Sequence, residues 1–279
     1  MRKFCLIGET LGHSMSPQIH KRLFELSGKD GDYHINEIAK SKFSNKAKEL
    51  SLYSGYNITI PYKVDIIPFI DKMDESALRY GAVNCVDNKN DISMGYNTDV
   101  YGFLKSLKVN DIPLGGKVLL LGSGGVGRMM ACETSLAGGN LTIAVRDGSQ
   151  KSAEAVKEFV LSKVSDAKIE IVTYDRIDGN FDTLINSTPV GMYPNVEGCP
   201  VNDKVIEDCD NFFDAIYNPV QTVLIKKANA MGKNAVGGME MLVYQAVVAH
   251  EIWDNASYLP NDIQKIIKEM QDEVERKYR

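Results

Sequence analysis

Residues 118–127 read V-L-L-L-G-S-G-G-V-G, and they constrain the fold more than any other stretch of the chain. An apolar run meets Gly122, Gly124 and Gly127 at the spacing G-x-G-x-x-G, the pattern with which a strand turns into a helix around a dinucleotide pyrophosphate. Gly122 permits the tight turn, Gly124 lets the backbone approach the phosphates, and Gly127 lets the helix pack closely on the strand. The helix N-terminus then presents unpaired N–H donors and a partial positive charge. A glycine-rich turn can also be a plain strand-to-helix connection. Here the context extends the pattern: 129–136 is helix-compatible, 141–145 is a second apolar segment, and Asp147 stands where a ribose-reading acid belongs. Because the motif begins near the middle of the chain, the residues before it must have another task.

Composition removes several classes of function. With 279 residues, 44% of them hydrophobic, the chain can bury one large core or two medium ones. A formal net charge of -5 argues against a dedicated partner for nucleic acid or an anionic membrane. Cys5, Cys85, Cys132, Cys199 and Cys209 are scattered and never spaced C-x-x-C, as expected of a reduced, cytoplasmic protein. His13, His20, His34 and His250 form no metal-ligand pair with cysteine or carboxylate, so no metal is expected. The short apolar stretch after Met1 predicts a first strand rather than a secretion signal. No run approaches the ~20 apolar residues that cross a bilayer.

Alternation of strand and helix patterns predicts an α/β protein of two open-sheet domains. In the first, strands are expected at 4–7, 33–38 and 55–60. Ser16-Pro17 should open a helix, with Ser16 as cap and Ile19, Leu23, Phe24 and Leu26 as its apolar face. Further helices are expected over 44–52 and 62–70, giving a mostly parallel sheet closed by a hairpin over 83–96 that turns at 88–90. A helix over 99–107 leads into the glycine-rich unit. There the remaining strands are expected at 169–172, 183–186, 212–215 and 234–236, in a doubly wound sheet. Two helices, 239–253 and 260–277, should return to the first domain, the second amphipathic through Ile263, Ile266, Ile267, Met270 and Val274.

Polar residues gather at the strand-to-helix junctions of the first domain, where open parallel sheets place their ligands. Ser14 and Ser16 follow the first strand, Thr59 and Lys63 the third, and Asn84, Asn97 and Asp99 flank the hairpin. Their hydroxyl, amide, ammonium and carboxylate groups suit a small polyhydroxylated ligand. Each also has an ordinary use as a cap, strand, turn or solvated residue.

The strings G-H-S-M-S-P (12–17), N-I-T-I-P-Y-K (57–63), G-A-V-N (81–84), N-T-D (97–99), N-S-T-P-V-G-M (186–192), Y-N-P-V-Q-T (217–222) and M-L-V-Y-Q (241–245) resemble, in order, those of the shikimate dehydrogenase family. The resemblance implies an N-terminal substrate-binding and catalytic domain, 1–99 with 238–279, and a Rossmann-type NAD(P)-binding domain, 100–237. It implies NADPH-linked reduction of 3-dehydroshikimate to shikimate, on the route to chorismate and the aromatic amino acids, by a monomer or homodimer. Lys63 and Asp99 would be the catalytic pair. Ser14, Ser16, Thr59, Asn84, Tyr217 and Gln245 would bind substrate. Gly122, Gly124, Gly125, Gly127, Arg146, Lys151, Thr188, Gly191, Gly238 and Met239 would meet the cofactor, the last few also having ordinary packing roles. With the two sites on different domains, closure about hinges near Val100 and Gly237 is expected.

One departure bears on the cofactor. Where the NADPH-using form has N-R-T after the second strand, this chain has Val145-Arg146-Asp147. Arg146, with Lys151 near it, suits a 2′-phosphate, whereas Asp147 would accept from a free 2′-hydroxyl and repel phosphate. Asp147 could equally be a solvent-facing turn residue before Gly148. NADP is expected, with NAD or dual use as the alternative. An NAD-preferring quinate/shikimate dehydrogenase, or a catalytically silent metabolite-binding relative, are the competing readings.

Overall fold

The computed structural model describes residues 2–12 and 14–278; Met1, His13 and Arg279 lie outside the described residues. The chain is α/β and divides into two compact units, Met1–Gly102 with Leu242–Met270, and Phe103–Met241 with Gln271–Arg279.

The first unit is built from β1 (Arg2–Gly8), α1 (Ser16–Ser27), β2 (Gly31–Glu37), α2 (Phe43–Ala47), β3 (Gly55–Ile58), β4 (Lys72–Met73), α3 (Glu75–Tyr80), β5 (Cys85–Lys89) and β6 (Ile92–Tyr96). Its sheet has the order β2-β1-β3-β5-β6-β4. β1 runs parallel to β2 and β3 and β4 runs parallel to β6, while β5 is antiparallel to both its neighbours, so the sheet is mostly parallel with one reversed strand. Alternate residues of β1 enter opposite cores: Cys5 and Ile7 pack with Phe43, Tyr56 and Tyr62, while Phe4 packs with Phe24 and Trp253. That period of two covers the sheet on both faces.

Several local expectations change. Ser16 is the first helical residue of α1, not its cap; Met15 holds the cap position, and the Ser14 hydroxyl accepts from the Ser16 N–H at 3.2 Å. His20 joins Ile19, Leu23 and Phe24 on the buried face, and Leu26 is 41% exposed. The stretch 44–52 is α2 followed by a tighter 3-10 turn, which buries Leu50 against Phe43 and leaves Leu52 outside. No α-helix forms over 62–70, where turns lead to a short 3-10 segment, Ile67–Phe69. Pro68 supplies no N–H to a helical ladder, and the Lys63 carbonyl is taken by the Val83 N–H at 2.8 Å. β3 ends at Ile58, two residues short of the expected strand, and the hairpin turns at Asn90-Asp91, both at positive φ. β4 and α3 were not anticipated.

The chain leaves the first unit within α4 (Asp99–Val109). The second unit follows as β7 (Lys117–Leu121), α5 (Gly125–Leu136), β8 (Asn140–Val145), α6 (Gln150–Leu161), β9 (Ile169–Thr173), β10 (Phe181–Asn186), α7 (Asp203–Glu207), β11 (Cys209–Asp214), α8 (Val223–Ala230) and β12 (Asn234–Val236). All its pairings are parallel, in the order β12-β11-β10-β7-β8-β9. Counted from β7, this is the doubly wound order, with its switch point between β7 and β10. Val118 to Leu121 are fully buried, as strands covered on both faces require. α9 (Met239–Asp254) returns to the first unit and α10 (Pro260–Lys277) follows it, with Ile263, Ile266, Ile267, Met270 and Val274 buried along one stripe. No described helix is long and apolar enough to cross a membrane.

Candidate active site

In the first unit the carboxyl ends of β1 and β3 lie beside the feet of the β5–β6 hairpin. Asn84 precedes β5 and Asp99 follows β6, and the Asn84 carbonyl accepts from the Ile58 N–H at 2.9 Å. This edge holds an ion pair, Lys63 Nζ to Asp99 Oδ2 at 2.5 Å, with the side chains 22% and 15% exposed. Asn84 Nδ2 donates to the other Asp99 oxygen at 2.8 Å and to Thr98 Oγ1 at 3.0 Å, while its own oxygen accepts from the Thr98 N–H at 2.6 Å. Both carboxylate oxygens are therefore held, and the lysine is anchored while its side chain stays partly exposed. Thr98 Oγ1 lies 3.3 Å from Gln245 Oε1, which brings α9 to the same cluster.

The serines connect to that cluster through residues that motif reasoning had given no role. Ser14 donates to Ser16 Oγ at 3.2 Å, and Ser16 bonds the buried Tyr33 hydroxyl, whose acidity burial suppresses. Tyr33 donates to Asn57 Oδ1 at 2.8 Å, and Asn57 Nδ2 donates to the Asn84 carbonyl at 3.2 Å. One hydrogen-bonded path thus runs from Ser14 through Tyr33, Asn57 and Asn84 to Asp99 and Lys63. Each link orients the next. The Thr59 N–H is bonded to the Ile7 carbonyl at 2.9 Å, which fixes its backbone at the end of β3. Asn97 turns its amide to the Ala82 carbonyl at 3.2 Å and braces the hairpin instead of joining the pair. Tyr33, Asn57 and Thr98 were missed as site residues, although the last two lie inside quoted strings.

Beneath this path, His20 Nδ1 and His250 Nε2 lie 3.0 Å apart, with the Tyr33 ring stacked on His20 at 3.9 Å. Burial holds both imidazoles below their usual range, His250 down to about 4.

In the second unit the glycines meet specific needs. Gly122 has φ 95°, which L side chains rarely adopt. A Cβ on Gly127 would lie 2.6 Å from Ser187 Oγ and 3.1 Å from the Gly122 carbonyl. At Gly124 and Gly125 a Cβ would meet nothing within 4 Å, and no side chain caps the N-terminus of α5. An open cradle with free N–H donors at the switch point fits a dinucleotide pyrophosphate. After β8, Arg146, Asp147 and Lys151 are exposed. Asp147 Oδ1 accepts from the Gly148 N–H and from Gln150 Nε2, both at 3.0 Å, so one of its carboxylate oxygens is engaged in its own turn. Beyond β10, Asn186 Oδ1 accepts from the Thr188 N–H at 3.1 Å and from its hydroxyl at 2.7 Å. Gly191 has φ 94°, Gly238 donates to the Ile216 carbonyl at 2.9 Å, Met239 is buried, and Tyr217 is partly buried. Among the described residues no group of three His, Cys, Asp or Glu side chains could hold a metal.

Residues 6–86 match the family described as the shikimate dehydrogenase substrate binding domain. A shikimate dehydrogenase (NADP(+)) of Clostridium beijerinckii is 36% identical over 258 residues, 91% of this chain and 92% of that protein. The solved chorismate mutase/shikimate 5-dehydrogenase fusion protein from Clostridium acetobutylicum superposes with a TM-score of 0.88 at 30% identity, covering 99% of both chains. The shikimate 5-dehydrogenase from Thermus thermophilus in complex with NADP(H) and shikimate superposes at 0.85 with 28% identity, over 96% of this chain and 99% of that one.

Proposed function

The chain belongs to the shikimate dehydrogenase family, and from that premise we propose that it reduces 3-dehydroshikimate to shikimate with NADPH in aromatic biosynthesis, through Lys63 and Asp99. The first unit takes the substrate and the second takes the cofactor. The observation that carries the assignment is the Lys63–Asp99 ion pair, held at 2.5 Å and braced by Asn84.

NADPH, when bound, supplies the hydride that the carbonyl carbon accepts. As that carbon is reduced, negative charge builds on its oxygen and must be met by a proton. The Lys63 ammonium hydrogen-bonds the oxygen and stabilises the charge, and the Lys63–Asp99 pair furnishes the proton that completes the alcohol. Asp99 keeps the amine in place, and Asn84 keeps Asp99 from rotating away. Ser14 and Ser16 offer neutral donors to the substrate carboxylate, while Thr59, Asn84 and Gln245 meet its ring hydroxyls. A site that bonds particular hydroxyls rejects an analogue that leaves those groups unpaired. Gly122, Gly124, Gly125 and Gly127 with the α5 N-terminus would hold the pyrophosphate. Arg146 and Lys151 would pair with the 2′-phosphate, and Thr188, Gly191, Gly238 and Met239 would hold the nicotinamide end. The engagement of Asp147 in its own turn favours NADP over NAD. The five free thiols support a cytoplasmic setting.

The test is reduced-nicotinamide absorbance with purified protein, crossing shikimate and quinate with NADP and NAD. Turnover with shikimate and NADP is expected. A preference for NAD, or a strong quinate rate, would transfer the chain to the quinate/shikimate reading, and no turnover at all would make it a silent binder.

A further inference from the structure

Asp214, the last residue of β11, is a fully buried carboxylate with no cation paired to it among the described residues. Three donors converge on it instead: Asn186 Nδ2 at 3.0 Å and the Ile216 N–H at 3.1 Å on Oδ1, and Thr222 Oγ1 at 2.7 Å on Oδ2. The partners are committed in turn. Asn186 gives its oxygen to the Thr188 N–H and hydroxyl, which fixes the direction of its amide. Thr222 accepts from the Ile225 N–H at 3.3 Å, so its own proton points to Asp214. The Ile216 carbonyl receives the Gly238 N–H at 2.9 Å.

We propose that Asp214 is a positioning residue for the nicotinamide end of the cofactor site, a single carboxylate that clamps the backbone segment bearing Thr188 through Asn186 and the segment bearing Gly238 through Ile216. The inference rests on the reading of this unit as the NADPH site. The carboxylate satisfies all three convergent donors, whereas an apolar residue here would leave the Asn186 and Ile216 N–H groups without their shared acceptor. A position needed for packing alone would be apolar, because burying a carboxylate is costly. Burial does push the Asp214 carboxyl up to about 6 against its three donors. Without the clamp, β10 and β11 still pair, but the residues just beyond their ends lose their shared reference point.

Asp214→Ala, which removes the oxygen on which the Asn186 and Ile216 links both end, tests the clamp with two probes. NADPH spans the whole site and is followed by its fluorescence; adenosine 2′,5′-bisphosphate carries only the adenosine end and is followed by calorimetry. NADPH binding is expected to weaken about tenfold or more, the scale of one charge-assisted hydrogen bond. Bisphosphate binding should stay within about twofold. Equal weakening of both probes would reduce Asp214 to a structural role, and unchanged NADPH binding would overturn the clamp outright. If the protein before substitution binds neither probe, the dinucleotide reading falls and the clamp falls with it. If Asp214→Ala does not fold, Asn186→Ser, which removes the bridge from Asp214 to Thr188 and leaves the Ile216 link in place, is held to the same expectation.

Discussion

The buried imidazole pair makes the first unit sensitive to acid in a way that can be worked from the structure. His20 and His250 share one hydrogen bond, and their outer nitrogens, His20 Nε2 and His250 Nδ1, have no partner among the described residues. Tyr33, Phe24, Trp253 and Tyr258 surround them, and the nearest charges, Asp254 and Arg2, are paired with each other. Burial lowers the His250 pKa from 6.5 to about 4, and His20 is lowered in the same direction. The unfolded chain therefore takes up a proton before the folded one does. The stability at stake is fully present above 6.5 and is lost as pH falls through about 4. At about 1.4 kcal/mol per pH unit, His250 alone removes about 3 kcal/mol at the acid limit, of which about 2 kcal/mol is gone between pH 7 and pH 5. The assay is denaturant unfolding at those two pH values, read by the single tryptophan, Trp253, which sits against the pair. His250→Gln keeps a polar neighbour for His20 but cannot charge. The original protein should lose about 2 kcal/mol more than His250→Gln over this interval, since the carboxylates common to both cancel. Losses that agree within about 0.5 kcal/mol would refute the reasoning.

Other expectations follow from the two sites. Lys63→Ala should lower turnover by roughly 10² to 10⁴ while shikimate affinity changes far less, as steady-state rates and direct binding together would show; an unchanged rate would remove Lys63 from the chemistry. Gly127→Ala forces a methyl to 2.6 Å from Ser187 Oγ; a loss of about 1–3 kcal/mol in unfolding experiments and weaker NADPH binding are expected, and a full-strength site would contradict the close packing of α5 on β7. Arg146→Ala should raise the KM for NADPH by about tenfold and leave that for NADH alone. Asp147→Asn should barely alter the NADPH to NADH preference, and a shift of about tenfold or more would return Asp147 to the role of selector.

The two units differ in how openly the chain displays them. Strands such as Val118–Leu121, buried on both faces, read as uninterrupted apolar runs, so the second sheet was legible almost strand by strand. In the first unit the expected helix over 62–70 failed because its fate was decided elsewhere, by a proline at 68 and by Val83 claiming the Lys63 carbonyl. β4 has only two residues, too few for a periodic signal. The site followed the same division. Lys63, Asp99, Asn84 and Gln245 stood in recognisable strings, and the structure brings them into one cluster. Tyr33 and Asp214 had no such string to point to them. Tyr33 matters through Asn57, 24 residues away, and Asp214 through Asn186, 28 residues away, so their roles exist only once distant strands are paired.

The reversed strand β5 has a consequence for how this chain can change. In a wholly parallel sheet each strand delivers one loop to the ligand edge, whereas the hairpin delivers both of its feet there, Asn84 on one and Asp99 on the other. Their separation is ruled by the ladder from Cys85–Tyr96 to Lys89–Ile92 and not by any loop. The far tip at Asn90-Asp91 can accordingly grow, shrink or drift in sequence while the chemistry stays in gauge. A single residue gained or lost within either arm would instead swap the faces of every side chain beyond it, so insertions should be tolerated at the tip and eliminated from the arms.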